Sequence, residues 1–127
     1  GYGPRLFARS DNGGASWAAN WSAGADLPDP YCEGSLLADP ARDTLLFGNP
    51  SHTRRLNFTV HASADGGRTW PAATIVYPGD AAYSDMAFTR NGSVAVLFEK
   101  GYGGNPYVSV AFGVIPVPSV SPGGSRR

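Results

Sequence analysis

Apolar and polar positions alternate along this chain in short runs, each closed by a cluster of glycine, proline, asparagine or serine. RLFARS (5–10), SLLAD (35–39), TLLFGN (44–49), NFTVHAS (57–63), ATIVYPG (73–79), MAFTR (86–90), VAVLFEK (94–100) and YVSVAFGVI (107–115) read as strands. Period-two alternation puts one set of side chains on each face of a sheet. PAR after SLLAD and NGS after MAFTR mark hairpin turns. No segment of a dozen residues carries the 3.6-residue apolar period of a helix, so the expectation is an all-β chain. The end, VPSVSPGGSRR (117–127), has the composition of a disordered tail, which leaves residues 1–116 as the folded part.

Between strands the chain repeats itself. SDNGGASW (10–17) aligns position by position with SADGGRTW (63–70): Ser10 with Ser63, Asn12 with Asp65, Gly14 with Gly67, Ser16 with Thr69, Trp17 with Trp70. Recurrence of all these offsets together marks an internal structural period. A short polar side chain at the third position bonds the backbone of the turn that follows it. Glycines supply the positive φ of that turn, and the tryptophan folds back beside the hairpin. Each box is therefore expected to staple a turn, with Asn12 weakening one turn bond relative to Asp65.

Composition narrows the function classes. At 127 residues there is room for one modest core. Ten acidic residues balance ten basic ones, which gives no electrostatic footprint for nucleic acid or an anionic membrane surface. Arginine supplies nine of the ten cations, a bias that suits forked contacts to carboxylates but also follows from base composition. Cys32 is the only cysteine, so no intrachain disulfide is possible, and it reads as a buried small hydrophobe. Three Asn-x-Ser/Thr acceptors, at Asn20, Asn57 and Asn91, tilt the expectation toward the secretory or lysosomal route.

The two boxes resemble the Asp boxes, S-x-D-x-G-x-T-W, of sialidases and other β-propellers. PDPYCEGSLL (28–37), GNPSHTRRLNFTV (48–60), AAYSDMA (81–87) and VLFEKG (96–101) follow in an order and spacing similar to the C-terminal part of animal lysosomal-type exo-α-sialidases. The resemblance covers nearly everything but the tail. It implies a six-bladed β-propeller of four-stranded antiparallel blades, of which this chain would supply about two to three.

The resemblance also implies an activity and roles. Exo-α-sialidases are glycoside hydrolases that remove terminal α-linked sialic acid from glycoproteins, oligosaccharides and gangliosides, with retention. Membrane contact would come only through the glycolipid substrate. Arg55 matches the third arginine of the triad that clamps the sialic acid carboxylate, and a guanidinium fork makes parallel contacts that lysine cannot. Arg54 is its neighbour and competitor, since alternation would turn only one of the two inward. Tyr83 matches the nucleophile, a tyrosine in this family. A neutral phenol avoids the repulsion an anionic nucleophile would meet at an anomeric carbon bearing a carboxylate, but it needs a base beside it. Glu99 matches the glutamate that orients the first arginine of the triad. His52 reads as a loop residue shaping the clamp, and no cofactor or metal is expected.

The resemblance puts the aspartate acid/base, the first arginine and the glutamate base on N-terminal blades outside this chain and the second arginine just upstream of Gly1, with Arg5 and Arg9 as candidates for that second arginine although both lie in the strand leading into the box. The sequence therefore reads as an incomplete C-terminal portion, inactive alone. Two other readings remain at this stage: a propeller segment that binds a sialoside or a protein without turnover, and blades of an unrelated propeller.

Overall fold

A computed structural model describes residues 3–120, and within them every regular element is a strand. In chain order these are β1 (Gly3–Phe7), β2 (Ser22–Asp29), β3 (Ser35–Asp39), β4 (Thr44–Pro50), β5 (Leu56–Ser63), β6 (Ala72–Phe88), β7 (Val94–Tyr102) and β8 (Asn105–Ile115). β1 and β2 pair by themselves, while β3 to β8 form one sheet in sequential order, all antiparallel. Sequential antiparallel pairing follows from the short turns, which leave the chain no reach for a crossover.

Three departures from the expected strands have physical causes. β2 was not legible because Gly24 and Pro28 break its alternation, and its pairing with β1 carries a register shift between Pro4 and Arg5. The separate strands expected at 73–79 and 86–90 are one strand: β6 pairs β5 through its first half and β7 through its second. The chain changes partner through PGDAAYS, where the β6–β7 register shifts between Ala81 and Ser84. The strand expected at 5–10 stops at Phe7, before the first box takes over the backbone.

β5 shows why the centre of the sheet is apolar on one face and mixed on the other. Phe58, Val60 and Ala62 point into a cluster with Leu46, Ala81, Met86, Val94, Val96 and Phe98, where Phe58 stacks on Phe98 at 4.7 Å between ring centroids. Thr59, His61 and Ser63 face the other way and are also buried. That second face carries Phe47, directly across from His61, and packs with Leu27, Trp70 and Phe7 against the β1–β2 pair. Beyond β6 only one face is covered. Leu97, Val110, Phe112 and Val114 stay exposed on the outer face of β7–β8, Phe112 at 70 %. The tail expectation falls mainly on residues outside the described ones, but Val117 and Val120 rest against the core cluster.

The two boxes fold alike. Gly67 N–H donates to Ser63 Oγ and Gly14 N–H to Ser10 Oγ, both at 2.8 Å. Thr69 N–H donates to Asp65 Oδ1 and Ser16 N–H to Asn12 Oδ1, both at 2.9 Å. In the second box the Thr69 hydroxyl donates to Asp65 Oδ2; in the first, the Asn12 amide donates to Ser16 Oγ. That bond survives with its polarity reversed, and what Asn12 lacks is the contact Asp65 makes with Arg68 N–H. The boxes differ most in their tryptophans: Trp70 is 5 % exposed between the two sheets, whereas Trp17 is 62 % exposed.

Candidate active site

Four consecutive strands bring their ends together around Arg55. The residue lies just before β5, in a loop whose backbone is folded tightly on itself. Asn57 takes φ 66°, Ser51 N–H donates to Asn57 O at 3.0 Å, and Leu56 N–H donates to Arg54 O at 2.8 Å. Ala81 N–H donates to Arg55 O at 3.0 Å, which fixes this loop to the segment that leads into Tyr83. His52 Nδ1 accepts Arg54 N–H at 3.0 Å, so the histidine shapes the same loop.

The two adjacent arginines are separated by this loop rather than by strand alternation, because both precede the first paired residue of β5. Arg54 is exposed; Arg55 is half-buried, its guanidinium carbon 5.4 Å from the centre of the Tyr83 ring and its Nη1 2.5 Å from Tyr107 Oη. Both arginines border a shallow cleft with Leu56, Asp80, Pro106 and Tyr107. Burial works against the Arg55 charge, but Cys32, Tyr107 and Tyr83, once alkaline pH ionises them, outweigh it and hold the guanidinium above its ordinary range. Among the described residues no carboxylate pairs with Arg55; the ion pairs found there are Arg5 with Asp29 and Arg42 with Asp39.

Tyr83 sits on the shifted segment of β6, 49 % exposed. A bulge leaves backbone donors without ladder partners, and two carboxylates take them up. Glu99 Oε2 accepts Tyr83 N–H at 3.1 Å, and Glu33 Oε2 accepts Ser84 N–H at 3.1 Å. Ser35 and Ser84 add a buried hydroxyl pair at 3.1 Å. Glu99 thus engages the backbone of Tyr83 through one oxygen, and no guanidinium among the described residues touches it.

Sequence reasoning missed Tyr107 and Glu33. Tyr107 opens β8, its N–H held by Asn105 Oδ1 at 3.0 Å. β7 and β8 come so close there that a Cβ on Gly101 would lie 1.7 Å from Asn105 O, which only glycine avoids. Glu33 follows Cys32 in the loop from β2 to β3. That loop is anchored by a polar network: Asp29 accepts from Arg5 at 3.2 Å, from Asn49 at 3.0 Å and from Cys32 N–H at 3.0 Å.

Arg5 also donates to Cys32 O at 2.6 Å and lies over Phe47, and Arg9 donates to Gly66 O at 2.5 Å, so both tie the first strand pair to the larger sheet. Burial pushes the Cys32 thiol up to about 11, with Arg55 pulling the other way, so it is a neutral thiol near pH 7. Among the described residues no group of three or more metal-ligating side chains gathers.

No family model matches the chain. It is similar to a sialidase of Micromonospora viridifaciens, with 36 % identity over 110 residues, 80 % of this chain and 17 % of that protein. A sialidase of Bacteroides fragilis is 30 % identical over 77 % of this chain and 20 % of its own length. Among solved structures, the Hadza microbial sialidase Hz136 superposes with a TM-score of 0.65 at 31 % identity, covering 77 % of this chain and 20 % of that one. The chain spans about a fifth of the length of the relatives it matches. Together with the sequential antiparallel strands, the structural likeness makes this fold part of a β-propeller.

Proposed function

We propose that this chain is the part of an exo-α-sialidase that carries the tyrosine nucleophile and one arginine of the carboxylate clamp. The observation that carries the reading is a cationic Arg55 with no acidic partner among the described residues, set against the ring of an exposed Tyr83. An arginine left uncompensated and half-buried favours an anionic ligand, and the sialic acid carboxylate is such a ligand. With the carboxylate on Arg55, Tyr83 Oη forms a bond to the anomeric carbon while the glycosidic C–O bond breaks. Water then cleaves the tyrosyl intermediate, giving net retention.

In the proposed enzyme the group that protonates the leaving oxygen and the base that takes the Tyr83 proton come from other blades, as do the remaining arginines of the clamp. Glu99 keeps one oxygen for such an arginine while the other holds the backbone of Tyr83. The substrates would be sialylated glycoproteins, oligosaccharides and gangliosides, met in the lysosome or the secretory pathway.

The test is Tyr83→Phe in the natural polypeptide that carries this chain. Turnover of a fluorogenic sialoside is expected to fall at least about a thousandfold, while binding of a sialic acid analogue persists. A fluorosialosyl reagent should label wild type at the peptide containing AAYSDMA and leave the variant unlabelled. Labelling of neither protein would make this a sialoside-binding propeller without turnover. Labelling elsewhere would remove Tyr83 from the chemistry.

A further inference from the structure

We infer that Tyr107 is a positioning residue for Arg55, a neutral brace that sets the direction of the guanidinium without spending its charge. The inference rests on the reading of Arg55 as a carboxylate clamp. A free arginine side chain carries much rotamer entropy, which a ligand must offset unless the protein has already fixed the pose. The 51–57 loop fixes the Arg55 backbone, but the long side chain leaves that loop and needs its own support. Two groups give it: the ring of Tyr83 at 5.4 Å and the oxygen of Tyr107 at 2.5 Å.

Tyr107 meets the guanidinium through its oxygen. The guanidinium carbon lies 5.9 Å from the centre of the Tyr107 ring while Nη1 touches the oxygen. The phenol oxygen sits on the rim of its ring, so the guanidinium lies beyond that rim and Tyr107 engages as a hydrogen-bond acceptor. A carboxylate in the same place would hold the arginine more strongly, but it would neutralise the charge that draws the ligand and compete for the same fork. A phenol takes one of the five N–H donors and leaves the others, with the full charge, for a planar anion.

The brace is itself rigidly mounted. Tyr107 N–H is bonded to Asn105 Oδ1, and Gly104 N–H donates to Asp80 Oδ2 at 2.6 Å. Through Asp80, opposite Leu56 in the β5–β6 register, the start of β8 is tied to the strand that follows Arg55. The hydroxyl and the guanidinium it braces thus belong to one mechanical unit, although 52 residues separate them.

Tyr107→Phe, Arg55→Lys and the double variant, made in the natural polypeptide, test this. The probes are a cyclic sialic acid analogue with a free carboxylate and its methyl ester. Tyr107→Phe should weaken the acid about tenfold and raise KM in parallel, with kcat, ester affinity and melting temperature close to wild type. In the Arg55→Lys background, Tyr107→Phe should add almost nothing, since the group it braces is gone. Equal loss for acid and ester, full additivity in the double variant, or unchanged acid affinity would each overturn the brace and leave the clamp standing. A wild-type protein that binds the acid no better than the ester would overturn the clamp, and the brace with it.

Discussion

His61 should make the centre of the sheet sensitive to mild acid. Its ring is 5 % exposed on the face of β5 shared with Phe47, and its Nε2 is buried without a partner. Burial lowers the imidazole pKa from 6.5 to about 4. Between those values the unfolded chain binds a proton that the folded one refuses, so stability is full above about pH 6.5 and falls as pH drops toward 4. Linkage with these two values gives a loss of about 2 kcal/mol between pH 7 and pH 5, rising to about 3 kcal/mol near pH 4. Hydrogen exchange of a peptide covering β5, corrected for intrinsic rate and followed in the natural polypeptide, reads this as a roughly twentyfold fall in protection from pH 7 to pH 5. His61→Leu should flatten the dependence, because it removes the titrating group and leaves no buried polar atom behind. Protection in wild type that stays constant over that range, or an unchanged slope in His61→Leu, would refute the burial argument.

The boxes give a paired prediction. Asp65→Asn should cost little, since Asn12 already shows an amide making the equivalent bond to the hydroxyl at its fourth following residue, whereas Asp65→Ala should cost on the order of 1 kcal/mol by thermal unfolding. Backbone and side-chain bonds from Thr69 hold the Asp65 carboxyl well below the usual carboxylate range, so its contribution is present at neutral pH and lost only in strong acid, and Asp65→Asn should remove that acid limb. Expressed alone, the 127-residue chain should self-associate through the exposed face of Leu97, Val110, Phe112 and Val114; Phe112→Lys should shift its sedimentation profile toward smaller species, and a monodisperse wild-type monomer would contradict this.

The fold was legible where the side chains alternate and illegible where the backbone does something special. β3, β4, β5, β7 and β8 lie within a few residues of their expected bounds, because turn-forming residues rather than interior breaks close each apolar run. β2 and the join within β6 escaped notice for a common reason: glycine and proline, which read as the ends of a strand, lie inside them, Gly24 and Pro28 in β2 and Pro78 and Gly79 in β6. The Asp65 and Asn12 boxes were readable from offsets alone, since every bond in them spans two to four residues.

The site divides along the same line. Arg55, Tyr83 and Glu99 were singled out from ordered local motifs, and the structure gathers them where β5 begins and β6 changes partner to β7. Tyr107 carries no local signature, and Glu33, although it lies within PDPYCEGSLL, stands there without a role. Tyr107 stands among alternating apolar residues as one more strand aromatic, and only the closing of β7 on β8 across Gly101 turns its hydroxyl toward Arg55. Glu33 meets Ser84 across 51 residues because Asp29, Arg5 and Asn49 pin the loop that holds it, a network of neighbours widely separated in sequence. A chemistry that depends on where a guanidinium points is therefore set by groups that are neutral or remote in sequence. The proposed brace on Arg55 follows from that logic: in this proposal charge selects the ligand, and the uncharged Tyr107 on another strand orients the guanidinium.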